Sequence, residues 1–242
     1  MALSLDRLGD GAIYAPATGG VAPGIVVVHG SEGPMAGWAH RFAVILAAHG
    51  FAAVPHGYGE GDFWGAGPIR DVPVEDLVAR VRALRALDHV GNVGLFGWSK
   101  GAELVLLAGM LLEDASEVAA IAAHAPAALV QGAFDPTAMR AGADWLATDP
   151  AGPAAWTWQG APIRPGTALA PEAYPGPLFL SVGTADPLRD PDDSVALAGR
   201  ARERGRDVDL FLAEGQGHGF DFDREPELWD RLFRFFRKGL EG

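Results

Sequence analysis

Cysteine is absent from the 242 residues. That excludes a disulfide scaffold, a thiolate metal site, an iron–sulfur cluster and a cysteine nucleophile. Lysine is scarce: Lys100 and Lys238 stand alone, and the other basic residues are arginine. Positive charge is short overall, with 19 Lys and Arg against 31 Asp and Glu, for a net charge of −12. Holding a nucleic-acid duplex or an anionic membrane takes a basic face, so neither is an expected partner. No apolar run of about 18 residues free of Gly and Pro occurs, so no transmembrane helix is expected. The start, Met1-Ala-Leu-Ser-Leu-Asp6-Arg7, lacks the basic-then-apolar order of a secretory signal. The expected location is the cytoplasm.

What is present is an ordinary globular balance, 49 % hydrophobic and 21 % charged, which excludes disorder as the main state. The length suits one α/β domain. Short β-like runs alternate with helical patterns. Strands are expected at 24–28, 51–54, 92–96, 118–123, 177–182 and 207–212. Helices are expected at 35–49, 73–88, from about Ser99, at 192–204, and from Pro226 to Gly239. Glu75 and Asp76 at the start of the second helix, with Arg80, Arg82 and Arg85 later, suit the macrodipole. Apolar strands alternating with helices predict a mostly parallel sheet covered on both faces. Residues 125–175 break the rhythm and read as a cap or long-loop insertion within a single domain spanning 1–242. Its tryptophans, among them Trp156 and Trp158, either line a binding site or pin the excursion to the body.

One motif carries chemistry. Gly97-Trp98-Ser99-Lys100-Gly101 is a G-x-S-x-G sequence between a buried strand and an apolar helix. In that context a sharp strand-to-helix turn exposes the serine at the C-terminal edge of the sheet. The plainer alternative is a serine N-cap. Two partners follow in the order a Ser–acid–His triad needs. Asp186 comes just past a strand, in Gly183-Thr-Ala-Asp186-Pro. Asp190, Asp192 and Asp193 look like the first turn of the next helix, and Asp135 is an outside candidate. His218 sits on the glycine-rich loop Gly215-Gln-Gly-His218-Gly after the last strand. His40, His49 and His89 read as surface or capping residues. His29, His56 and His124 fall at strand ends and could face the same cleft.

An oxyanion site built from backbone N–H groups is expected at Lys100, the residue after the serine, and at Ser31 or Glu32 in the loop His29-Gly-Ser-Glu-Gly33. The Lys100 side chain suits an ion pair with Glu103 or Glu32 better than a Ser–Lys catalytic pair, because neighbouring residues on an elbow point apart. The segment Gly57-Tyr-Gly-Glu-Gly-Asp-Phe-Trp-Gly65 lacks the ending of a P-loop. It reads as a cleft wall with Phe63 and Trp64. The expected substrate-lining residues are therefore His29, Phe63, Trp64, Trp98, His124, Trp156 and Trp158.

With these residues the chain resembles the α/β-hydrolase superfamily. The nearest likeness is to the catalytic domain of acyl-CoA thioester hydrolases and bile acid-CoA:amino acid N-acyltransferases. Gly30-Ser-Glu-Gly33, Gly97-Trp-Ser-Lys-Gly-Ala-Glu103 and Trp156-Thr-Trp-Gln-Gly-Ala-Pro-Ile163 carry it. Gly183-Thr-Ala-Asp186 and Gly217-His218-Gly219 also suit dienelactone hydrolases, which use a cysteine nucleophile. Family members commonly carry an N-terminal β-sandwich domain, whereas here the first long strand starts at Gly24. The resemblance implies an α/β-hydrolase fold and transfer of an acyl group from a thioester to water, with Ser99, Asp186 and His218 as the triad and with no metal or organic cofactor. A carboxylesterase or lactonase acting on small oxygen esters is the first alternative, and a non-catalytic hydrolase-like binding protein the second. The expected partner is a small acyl ester or thioester, and a homodimer is compatible with the sequence.

Overall fold

The computed structural model describes residues 2–17, 19–34, 37–62, 65–144 and 146–241. Phe63 and Trp64, expected as cleft walls, lie outside them. Eight strands form the main sheet: β1 (Leu3–Leu8), β2 (Gly11–Pro16), β3 (Ala22–Val28), β4 (Ala52–His56), β5 (Val90–Trp98), β6 (Ala120–His124), β7 (Leu178–Gly183) and β8 (Val208–Ala213). Their spatial order is β1-β2-β4-β3-β5-β6-β7-β8. From β4 to β8 every neighbouring pair is parallel. β1 and β2 form an antiparallel hairpin that joins β4 through Tyr14 and Ala53.

That hairpin was not among the expected strands. Its outer strand is exposed at five of six positions, so it has no run of buried apolar residues. The available signal was local. Leu3-Ser-Leu-Asp alternates apolar and polar residues, and Gly9, at φ 63°, opens the two-residue turn between Leu8 and Gly11. Two-residue hairpin loops favour glycine at such a positive-φ position.

Helices α1 (Trp38–Ala48), α2 (Val74–Arg85), α3 (Lys100–Leu111), α5 (Pro191–Glu203) and α6 (Glu225–Leu240) cover the sheet, and α4 (Pro136–Arg140) is a single short turn. The expected elements are all present, with ends shifted by at most three residues. The β-strand period of two sorts the core into layers. Val26 and Val28 of β3 pack with α2, α3 and α5, whereas Ile25 and Val27 pack with α1 and α6. On α6, Trp229, Leu232, Phe233 and Phe236 are buried as their spacing predicts. Pro191 and Asp190 start α5, with Asp190 accepting the Asp192 N–H, so that acidic cluster is a helix cap. Among the described residues no helix is long and apolar enough to cross a membrane.

The stretch from 125 to 175 contains α4 and a short hairpin, Trp156–Trp158 with Ala161–Pro162. Trp156 and Thr157 also pair with Val72 and Pro73 just before α2. Ile69 and Phe134 exchange both backbone hydrogen bonds. These contacts bind the stretch to the body along the C-terminal edge of the sheet.

Candidate active site

Parallel strands bring their C-terminal ends to one edge, so the loops after β3, β5, β7 and β8 meet there. Ser99 follows β5 and precedes α3 with φ 55° and ψ −115°, a conformation costly for a residue with a Cβ. Its side chain makes no capping hydrogen bond to α3, which removes the plain N-cap role. Its N–H donates to His124 O at 2.8 Å. Two glycines make the elbow sterically possible. A Cβ on Gly97 would lie 2.2 Å from Gly101 O, and one on Gly101 would lie 2.3 Å from His29 O. Both obstacles are backbone, so they cannot swing aside. Gly101→Ala is therefore expected to cost about 3 kcal/mol of stability, read as a lowered urea midpoint at unchanged slope. A midpoint equal to wild type would show that the elbow has slack.

Asp186 lies in the turn after β7 and His218 in the loop after β8. His218 Nδ1 and Asp186 Oδ2 are 2.8 Å apart, with the carboxylate side chain fully buried. Asp186 Oδ1 accepts the Leu188 and Arg189 N–H groups. Burial works to raise the Asp186 carboxyl. The bond to His218 and the Leu188 amide outweigh it and hold the carboxyl below its ordinary value. The two loops are braced together. Thr184 N–H donates to Ala213 O, Ala185 N–H to Gln216 O, and Gly215 N–H to Thr184 Oγ1. Gln216 also accepts the Asp221 N–H, which fixes the loop on both sides of His218.

Ser99 and His218 face one cavity of about 590 Å³ together with Ser31, Glu32 and Trp98. Its remaining surface is largely apolar: Trp38, Phe134, Met139, Leu188, Phe220 and Phe222. Ser31 and Glu32 thus stand where a second oxyanion donor is expected, and Lys100 is the first residue of α3, where an N–H has no partner within the helix. The Glu32 carboxyl folds back to accept the Gly30 N–H at 2.9 Å. Burial pushes its pKa up, and the Gly30 N–H offsets part of that rise.

Three of the expected lining residues are instead packed inside, and a fourth, Trp158, is half-buried away from this cavity. His29 is 2 % exposed and stacks on Tyr58 at 4.0 Å. Its Nδ1 faces Gly30 O and its Nε2 accepts the Tyr58 N–H, so a neutral ring uses both nitrogens there. His124 is fully buried, with Nδ1 against Ser181 Oγ and Nε2 against His218 O. It stacks on Trp98 at 3.9 Å and so supports the wall from behind. Trp156 is fully buried, and its indole N–H donates to Glu103. Trp158 packs half-buried against the core. Of the two roles open to these tryptophans, pinning the excursion is the one the packing supports. Lys100 pairs with Glu103 at 3.0 Å, not with Glu32. Conversely, Trp38, Phe134, Met139, Leu188, Phe220 and Phe222 were not expected as walls. A usable signal existed for three of them: Leu188, Phe220 and Phe222 follow Asp186 and His218 by two to four residues on the same loops.

The sheet order, the strained serine after the fifth strand and the Asp–His contact across the neighbouring loops define an α/β-hydrolase-type fold of the serine-hydrolase kind. Within that class the chain belongs to the prolyl oligopeptidase family, whose model matches residues 38–242. No curated protein matches this sequence. Solved structures share the fold at low identity. A puromycin-hydrolyzing peptidase of Mycobacterium tuberculosis is 18 % identical with a TM-score of 0.70, over 98 % of this chain and 39 % of that one. This chain thus spans well under half of that peptidase. A truncated carbohydrate esterase from gut microbiota is 18 % identical with a TM-score of 0.68, over 99 % and 96 % of the two chains. A dienelactone hydrolase-like promiscuous phosphotriesterase from metagenomic libraries is 16 % identical with a TM-score of 0.65, over 99 % and 98 %.

Proposed function

We propose that this chain hydrolyses acyl esters through a covalent acyl-enzyme on Ser99. The observation that carries the reading is the strained, uncapped Ser99 facing the same cavity as His218, whose Nδ1 contacts the buried Asp186. His218 Nε2 takes the Ser99 proton as Oγ bonds to the acyl carbon. The carbonyl electrons move to oxygen, where the Lys100 N–H and a Ser31 or Glu32 N–H stabilise them, each donor contributing on the order of 3 kcal/mol. The bond to the leaving group then breaks, and that group takes the proton from His218. Water, losing a proton to His218, attacks the acyl carbon; the bond to Ser99 Oγ then breaks, His218 returns the proton to that oxygen, and the acid is released. Asp186 holds the imidazole with its Nδ1–H toward the carboxylate, leaving Nε2 free for the serine.

The walls favour an apolar, uncharged ester. Among the described lining residues Arg140 is the one cation, against the carboxyls of Glu32 and Glu225. Glu225 is itself engaged by Arg41 through two bonds of 2.5 and 2.7 Å. A coenzyme A thioester, with several phosphates, would meet little positive charge here. The thioester, which the sequence resemblance puts first, is the second reading here, supported by the likeness of the elbow and of the Gly30–Gly33 loop to thioester hydrolases. The test is kcat/KM for matched p-nitrophenyl and coenzyme A esters across acyl lengths, with an aminoacyl p-nitroanilide alongside. Oxygen esters are expected to win. Preferred turnover of the coenzyme A esters would install the thioesterase, and preferred turnover of the anilide a peptidase. Failure of Ser99 to react with a fluorophosphonate would leave a non-catalytic binding protein.

A further inference from the structure

Next to the serine lies a cluster that the reaction does not use. Lys100 and Glu103 are 2 % and 1 % exposed, one turn apart on α3. A buried ion pair gains little net stability over apolar residues of the same volume, so geometry is the more informative thing it supplies. Lys100 Nζ donates to Gln131 O at 3.0 Å and to Gly132 O at 3.2 Å. Glu103 Oε2 accepts the Gln131 N–H at 3.1 Å, and Oε1 accepts the Trp156 indole N–H. The ammonium also sits 5.3 Å from the centre of the Trp156 ring. Apart from the ion pair itself, every one of these contacts crosses from the elbow helix to the stretch 125–175. Gln131 and Gly132 lead directly into Phe134 and α4, whose Pro136, Met139 and Arg140 line the same cavity as Ser99 and His218. The Lys100 side chain is thus committed to the wall while its backbone N–H stays at the elbow.

We propose that Lys100 and Glu103 are positioning residues that hold the 131–140 wall in register with Ser99 and thereby set the size of the group accepted beside it. The inference rests on the reading of Ser99 as nucleophile and deepens it. A wall fixed at one point of the nucleophile helix cannot drift without breaking several bonds to buried groups, so the width of the cavity is tied to the elbow. Loosening the wall alters the fit of large acyl groups and leaves the fit of an acetyl group nearly as it was.

Two variants test this without touching the triad or Lys100. Glu103→Gln keeps the shape and removes the charge. Trp156→Phe keeps a six-membered aromatic ring and removes the donor together with the five-membered half of the indole, at a fully buried position. Steady-state kinetics on p-nitrophenyl esters from acetate to decanoate are compared with wild type. In both variants KM for the long esters is expected to change about 10-fold, while kcat for the acetate ester stays within about 3-fold. A role in stability alone would lower all substrates by one common factor, the folded fraction. An unchanged acyl-length profile in a folded variant, or such a uniform loss, overturns the inference. If Glu103→Gln does not fold, Trp156→Phe decides. Hydrogen exchange of the amides from Gln131 to Met139 supplies a readout free of turnover: faster exchange in Trp156→Phe supports the inference, and wild-type protection refutes it. Wild-type protein with no Ser99-dependent turnover sinks the hydrolase reading, whereas active wild type with unaltered variants sinks only the positioning role.

Discussion

Ser99→Ala is expected to lower kcat on p-nitrophenyl acetate by on the order of 10⁶, the scale of loss when a triad nucleophile is removed from a serine hydrolase. Stability should move by less than about 0.5 kcal/mol, the range typical of substitutions that disturb no packing or bonding. The reason is geometric. Ser99 Oγ makes no capping bond to α3, so its loss leaves no helix donor without a partner. Alanine meets the same backbone strain at φ 55°, so folding is not relieved or burdened much. Activity and stability therefore separate at this position, and kinetics beside a urea curve read both. A folded Ser99→Ala protein with wild-type turnover would place the nucleophile elsewhere, and the cavity would need a different chemistry.

The elbow could be found from the sequence because it is a local object. A buried β-run, two glycines flanking a serine and an apolar helix occupy about twenty consecutive positions, and local rules govern all of them. Asp186 and His218 were reachable for a related reason: each follows a strand of a parallel sheet, and parallel topology alone sends such loops to the edge where Ser99 emerges. The cavity walls obey no local rule. His29 and His124 also stand at strand ends, yet one is stacked beneath Tyr58 and the other beneath Trp98. Whether a strand-end side chain turns toward the cleft or back into the core depends on packing between segments far apart in sequence. Trp156 shows the same limit. Its indole N–H finds the buried Glu103 carboxylate, 53 residues earlier, and no spacing pattern announces a bond of that kind. The hairpin β1–β2 escaped for the opposite reason: its outer strand is too exposed to show an apolar run.

Acid is expected to unfold this protein well above the carboxylate range, because three histidines are buried in their neutral form. Burial is the leading cause in each, lowering His29 to about 4 and both His56 and His124 to about 3, from an ordinary 6.5. The unfolded chain takes up these protons below pH 6.5, whereas the folded chain refuses them until near pH 4 or 3. Stability is thus fully present above pH 6.5 and is lost as pH falls through that window, at up to about 1.4 kcal/mol per pH unit for each ring. At pH 5 the three together amount to roughly 6 kcal/mol, comparable with the whole stability of a typical domain. Asp186, held below its ordinary value, adds its loss only at lower pH. Glu32, raised by burial, works in the opposite sense and softens the slope. Urea unfolding at pH 7.5, 6.0 and 5.0 measures the effect, and a midpoint constant from 7.5 to 5.0 would refute it. His56 gives the sharper control, since neither of its ring nitrogens has a hydrogen-bond partner among the described residues. His56→Leu removes a buried polar group that no described residue satisfies and a site that the unfolded chain protonates. It should therefore fold at least as stably at pH 7.5 and shed about a third of the acid slope.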